Sequence, residues 1–357
     1  MNFESAVLSF WVWLVSLQAP PGSPSTEAST VRHLVCRPPA GTLADGIWVS
    51  DELASGVAIQ EAWPSWEVVA PAGTGVQLAL RFRTEAATAW GSWLTVGQWG
   101  DDAPAPADES TQSAGVVIDV DTVLCRQPQA WVQWRVISRG RPDGVRPVVE
   151  RLVLAMAGKP LGGTTLPPDP LVPPVRPDWR GIVMVPYRDQ GTEVPRMKGS
   201  LCSPTTTWMA LASVGRAEGV LEDFASRVYD PRHDLFGVWP RATAAAAERG
   251  LSGYVTRLAG LDALRDHLAA GHLIGASVRY AEGQLKRPPA LAATKGHLIL
   301  LRGIRADGSV IANDPASAGS GDGFAWLPED LATAWLDRSG GGMAYVFERA
   351  ESLGSRP

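Results

Sequence analysis

Seven prolines fall within residues 159–180, at 160, 167, 168, 170, 173, 174 and 177, with Gly162-Gly163 among them. Proline has a fixed φ and no backbone N–H, so this density admits neither a helix nor an interior strand. The segment is predicted to be a semi-rigid, extended linker. It divides the 357-residue chain into two bodies, each of ordinary domain length. Their textures differ.

On the N-terminal side, residues 30–158 read as short strands. Residues 76–83 and 131–137 alternate apolar and polar side chains, and 115–120 and 148–154 are further β-rich runs. Turn clusters at 71–75 and 100–104 separate them. Period-2 runs with turns between them predict an all-β, antiparallel sandwich-like domain. Eight of the fifteen tryptophans lie between Trp48 and Trp134. Tryptophan buries a large area, so core packing is the main expectation for them. Exposed rings would instead stack on sugars, which keeps a polysaccharide or cell-surface contact through residues 30–158 open as an alternative. Ahead of this domain, the apolar run 6–17 and the small residues near Ala19 predict a secretory signal over 1–19, and with it export. The run is too short to span a bilayer. Glu4 and Pro20 depart from the usual signal pattern.

On the C-terminal side, residues 181–350 have mixed texture. Helices are predicted over 203–214, 220–229, 240–249, 261–270 and 328–336. Strands are predicted over 273–278, 297–304, 310–313 and 344–347, with Asp307-Gly308 closing a hairpin between the second and third. Helices first and an antiparallel sheet afterwards make an α+β pattern.

Composition excludes several functions. A net charge of −5 with no concentrated basic patch offers nothing to nucleic acid. Three cysteines, at 36, 125 and 202, supply neither a disulfide scaffold nor a C-x-x-C zinc site. No metal or cofactor is expected. Cys36 and Cys125 are either a pair in an oxidising compartment or two small buried hydrophobes. Oligomeric state is not legible.

Cys202 stands apart. In Leu201-Cys-Ser-Pro-Thr, Pro204 is tolerated only in a first helical turn, which puts Cys202 at the helix N-terminus. There the macrodipole and free N–H groups favour a thiolate. A thiolate nucleophile needs a base, and the base needs an orienting group. His297 heads an apolar strand, and Asp314 ends the next strand of the same hairpin, so both lie near its open end. Asp314 is therefore placed to fix the imidazole tautomer. Gln190, in Val185-Pro-Tyr-Arg-Asp-Gln190, and the Cys202 N–H are candidate oxyanion donors. His267 and His272, five residues apart across a helix end, suit neither a metal pair nor a triad. His233 is predicted to lie in a solvated loop.

The segments Val-Pro-x-x-x-Gln, Cys-Ser-Pro-Thr, Gly296-His-Leu-Ile-Leu and Asn313-Asp-Pro, in this order, resemble the C39-like cysteine peptidases of papain-like fold. The resemblance spans residues 181–350 and is closest to stand-alone bacterial members with a preceding β-rich domain. It implies an α+β papain-like peptidase domain acting on a peptide or protein. Cys202 would be nucleophile, His297 general base and acid, Asp314 orienter and Gln190 oxyanion donor. Ser203 stands where many relatives carry glycine. The chain has no Gly-x-x-x-x-Gly-Lys-Ser/Thr and no set of membrane spans, so the exporter role of the family's namesake is not expected. Two other readings remain: an inactive binding protein using the tryptophan-rich domain, and a thiol acyltransferase or cell-wall amidase on the same triad.

Overall fold

The computed structural model describes residues 30–349 except 40, 42, 44–45, 107–110, 163–167, 320 and 338–340. The signal expected at 1–19 lies outside the described residues.

Residues 30–160 hold nine strands: β1 (Thr30–Cys36), β2 (Ile47–Val49), β3 (Leu53–Val69), β4 (Gly75–Arg83), β5 (Leu94–Gly100), β6 (Gln112–Ser113), β7 (Val116–Asp119), β8 (Thr122–Arg139) and β9 (Val148–Pro160). They form one hydrogen-bonded antiparallel sheet with main order β1-β9-β3-β8-β4-β5, where a sandwich would have two. Long strands explain the difference. β3 pairs with β8 from Leu53 to Ala62 and with β9 from Val57 to Val69, with bulges around Ile59 and Glu61. Bulges bend a strand and increase its twist, so one sheet coils over itself. The coil brings Trp66 of β3 against Gly97 of β5, three places away along the sheet. A Cβ at Gly97 would overlap the Trp66 indole, so only glycine fits there.

Trp63, Trp66, Trp99 and Trp134 are buried. Three half-exposed tryptophans are layered with arginines that share one face of β4 and β8. Arg81 lies over Trp90 and Trp93 at 5.0 and 4.5 Å, Arg83 over Trp90 and Trp131 at 5.1 and 4.9 Å, and Arg135 over Trp93 at 4.8 Å. The register explains the layering, since Arg83 sits opposite Trp131 and Ala79 opposite Arg135. These rings are engaged within the protein.

The second body comprises β10 (Gly181–Ile182), α1 (Cys202–Ala212), α2 (Leu221–Val228), α3 (Trp239–Glu248), β11 (Ser252–Arg257), α4 (Leu261–Ala269), β12 (Leu273–Tyr280), β13 (Thr294–Ile304), β14 (Val310–Asn313), β15 (Phe324–Trp326), α5 (Pro328–Trp335) and β16 (Met343–Glu348). Its seven-stranded sheet runs β11-β16-β12-β13-β14-β15, with β10 beside β13. α1 is buried from Ser203 to Leu211, which accounts for its nearly continuous apolar and threonine sequence. It approaches the sheet at Gly275, where a Cβ would press on Tyr345 and Thr206. Among the described residues, no helix is long and apolar enough to cross a membrane.

The two sheets are joined by buried polar ties as well as by apolar packing. Arg151 of β9 donates from Nη2 to Glu67 of β3 at 2.5 Å and to Glu348 of β16 at 2.6 Å. Glu67 also accepts the Gly253 N–H of β11. At the end of α3, Glu248 accepts from the Trp99 indole at 2.8 Å and from Arg227 at 2.7 Å. The proline-rich segment is anchored to both bodies instead of hanging free between them. Asp169 accepts from the His33 N–H and ring, Tyr254 donates to the Leu171 carbonyl, and the Arg176 N–H donates to Asp266.

Candidate active site

Cys202 is the first residue of α1, after Leu201, whose side chain offers no capping oxygen. The first-turn N–H groups of a helix lack intrahelical acceptors, so the missing donor of Pro204 costs nothing there. Cys202 is half-buried while every following residue through Leu211 is buried. The thiol thus lies at the rim of a closed core. Thr206 donates to the Leu298 carbonyl at 3.1 Å, which fixes α1 against β13 beside His297.

His297 lies on β13 opposite Val278 of β12 and is buried. The Arg305–Gly308 turn closes with the Gly308 N–H bonded to the Arg305 carbonyl, and Gly308 has φ +87°. A bulge between Leu301 and Gly303 then shifts the β13–β14 pairing, so that Asn313 falls opposite Leu300. Asp314 follows one residue later and reaches diagonally along the sheet to His297. The imidazole Nε2 and Asp314 Oδ1 are 2.7 Å apart. Asp314 Oδ1 also accepts the Ala316 N–H at 2.9 Å, while its buried Oδ2 has no hydrogen-bond partner.

The remaining ring nitrogen of His297 is the one available to the Cys202 thiol, its hydrogen-bond partner. Burial alone would disfavour a charged ring, yet the hydrogen bonds to Asp314 and Cys202 outweigh it and push His297 up to about 9. Burial would likewise raise the Cys202 thiol. The hydrogen bond and charge of His297, with help from the backbone at Leu298 and Ser203, bring it below the ordinary thiol value instead. The other cysteines behave oppositely. All three are free, but burial, then Glu61, pushes Cys125 up to about 12, and burial, then Asp51, raises Cys36.

Gln190 is joined to the same region through its N–H, which donates to the Pro315 carbonyl at 2.8 Å. Its buried side-chain Oε1 has no hydrogen-bond partner. The residue borders a cavity of about 270 Å³ lined also by Gly191, Gly199, Pro315, Ala316 and Ala318. Ser203 turns its hydroxyl inward, 2.9 Å from the Tyr345 hydroxyl.

Sequence reasoning missed the residues that hold this arrangement. Tyr187 donates to the carbonyls of Asp314 and Ser317 at 3.1 Å each, which ties the Gln190 segment to the Asp314 loop. Arg302 donates to Asn313 Oδ1 at 2.8 Å and to the Val183 carbonyl at 3.1 Å. Tyr187 stood inside the Val-Pro-Tyr-Arg-Asp-Gln segment, but nothing local distinguishes its role. The dismissed histidines lie elsewhere. His267 and His272 face one another, Nδ1 to Nδ1, at 3.0 Å, and burial followed by His272 pushes His267 down to about 3. His233 pairs with Asp230 at 2.9 Å. Among the described residues, no group of three or more His, Cys, Asp or Glu could hold a metal ion.

The sequence matches the Peptidase C39-like family over residues 182–343 and the Peptidase C39 N-terminal domain over residues 18–157. The C39 N-terminal domain match covers the coiled sheet nearly to its end. No curated protein matches. A crystal structure from Bacillus anthracis described as a C39-like peptidase aligns at 16% identity with a TM-score of 0.36. The alignment covers 48% of this chain and 98% of that one.

Proposed function

We propose that this C39-like protein is a cysteine peptidase of papain-like α+β architecture that cleaves peptide bonds with Cys202, His297, Asp314 and Gln190. The observation that carries the reading is the 2.7 Å His297–Asp314 contact beside the one thiol held below the ordinary cysteine value. A Cys202 thiolate attacks the peptide carbonyl, and the Cys202 N–H and the Gln190 side-chain amide receive the oxyanion. Protonated His297 donates its proton to the leaving amine, and the acyl-enzyme is then hydrolysed by water that His297 deprotonates. Asp314 holds the ring orientation through both steps.

Near neutral pH, a low concentration of iodoacetamide is expected to alkylate Cys202 first, because Cys36 and Cys125 remain thiols. Peptide mapping reads the order, and Cys202→Ala is expected to abolish cleavage of a peptide mixture. Alkylation of Cys202 no faster than the other two, or cleavage by purified Cys202→Ala, overturns the reading. The sign of the pH dependence follows. The thiolate–imidazolium pair exists above the lowered thiol value and is lost as pH rises through about 9. The kcat/KM profile is therefore expected to hold through neutral pH and fall near pH 9. A fall near the ordinary histidine value of about 6.5 would show that Asp314 does not hold the ring.

A further inference from the structure

The cavity beside Gln190 lies between the two segments that carry the oxyanion donor and the orienting carboxylate. Asp189 and Gln190 stand on one wall, and Pro315, Ala316 and Ala318 on the other. The walls are joined at the triad. The Gln190 N–H donates to the Pro315 carbonyl at 2.8 Å, and the Ala316 N–H donates to Asp314 Oδ1 at 2.9 Å. A peptide carbonyl received by the Gln190 amide is therefore next to this space. Successive residues of an extended peptide are only about 3.5 Å apart, so a side chain flanking the scissile bond reaches it.

Most of the lining is glycine, alanine and proline, which leave room and offer no side-chain hydrogen bond. Two of the polar side chains are already engaged elsewhere. Thr192 donates to Glu222 at 2.8 Å. The Lys198 ammonium pairs with Glu193 at 3.2 Å, and these side chains are 58% and 98% exposed, so Lys198 directs its charge to water. Asp189 differs from both. Its Oδ1 accepts the Gly191 N–H at 2.8 Å, which holds the carboxylate in place over a tight turn. Among the described residues, Oδ2 has no hydrogen-bond or ion-pair partner. The residue is half-buried, where a charge is screened less than in open water. A fixed carboxylate with one free oxygen, set among small side chains, is built to receive a cation.

We infer that this cavity is a specificity subsite for a basic side chain, lysine or arginine, flanking the scissile bond, with Asp189 receiving its charge. The long apolar stem of such a side chain lies along Pro315, Ala316 and Ala318 while its head reaches Oδ2. This rests on the peptidase reading.

The test starts from a peptide that the wild type cleaves. The residue on each side of the cleaved bond is replaced in turn by lysine, methionine and glutamate, methionine being unbranched and long but uncharged. At one of the two positions, lysine is expected to be favoured over methionine about tenfold in kcat/KM, with glutamate the slowest. Tenfold is the lower end for a hydrogen bond to a charged group. Asp189→Asn keeps an oxygen for the Gly191 N–H and removes the charge, so it is expected to bring the lysine-to-methionine ratio close to one. Asp189→Lys is expected to invert the order in favour of glutamate, which a merely structural Asp189 would not do. If the Asp189 variants fail to fold, Ala318→Lys decides, because it sets a cation at an exposed part of the cavity and leaves the Asp189 turn untouched. A lowered lysine-to-methionine ratio then supports the inference, and an unchanged ratio overturns it. Equal cleavage of lysine and methionine peptides by the wild type at both positions, or a ratio that survives Asp189→Asn, overturns the inference and leaves the peptidase reading intact. A wild type that cleaves no peptide overturns both.

Discussion

Arg151→Ala is expected to destabilise the protein by about 3–5 kcal/mol, the range found when one member of a buried ion group is removed. Arg151, Glu67 and Glu348 come from β9, β3 and β16, so the cluster stands where the two sheets meet. Arg151 and Glu67 are only 4% and 5% exposed, too little for water to replace a lost partner. Without the guanidinium, two carboxylates face each other in a desolvated space. The Gly253 N–H remains for Glu67, but a single amide does not neutralise the pair. Urea unfolding of wild type and variant measures the loss. Arg151→Lys, which keeps the charge but not the fork geometry, is expected to fall between them. A midpoint for Arg151→Ala corresponding to less than about 1 kcal/mol would show that the cluster behaves like an exposed pair. The same cluster joins the bodies, so both are expected to unfold in one transition.

His297→Ala is expected to lower kcat/KM by about 10²–10⁴-fold, the usual contribution of a positioned acid–base group. The loss has two sources. The leaving amine loses its proton donor, and the Cys202 thiol loses the partner that overcomes its burial. Iodoacetamide separates them, because alkylation needs the thiolate but no leaving-group proton. Alkylation of Cys202 in His297→Ala is expected to slow markedly at neutral pH. Asp314→Asn tests the third member. An amide oxygen still accepts from Nε2, so the ring keeps its place while the negative charge disappears. The alkaline limb is then expected to move from about 9 towards neutral pH, since Asp314 is a main cause of the raised histidine value. A limb that stays near pH 9 in Asp314→Asn would assign that value to Cys202 alone.

Much of the arrangement was legible before any coordinates. Pro204 marks the start of α1, and the Asp307-Gly308 turn marks the β13–β14 hairpin. These are local signals: a missing N–H, a positive φ, an alternation of side chains. They bound α1 to within two residues at each end and brought His297 and Asp314 to one end of one hairpin. The contact between those two residues was expected from the hairpin, but its diagonal register depends on the bulge at Leu301/Gly303, whose exact position is fixed by the packing of the sheet. The sandwich expectation missed for a related reason. Strand runs can be read locally, but whether β3 changes partners along its length depends on which strands lie on either side.

The sequence by itself marked the proline-rich segment, the thiol that begins a helix, and the hairpin that carries His297 and Asp314. Each follows from backbone constraints that act within a few residues. Only the tertiary structure decided which thiol is acidified, since that needs the balance of burial against His297. It alone decided that the proline-rich segment is held to both bodies by Asp169 and Leu171. It alone placed Asp121 on the Trp239 amide and Arg151 between two sheets. Those contacts join residues 83 or more positions apart. Their partners are selected by burial, where an unpaired charge or N–H is costly, and not by any property of their neighbours in sequence.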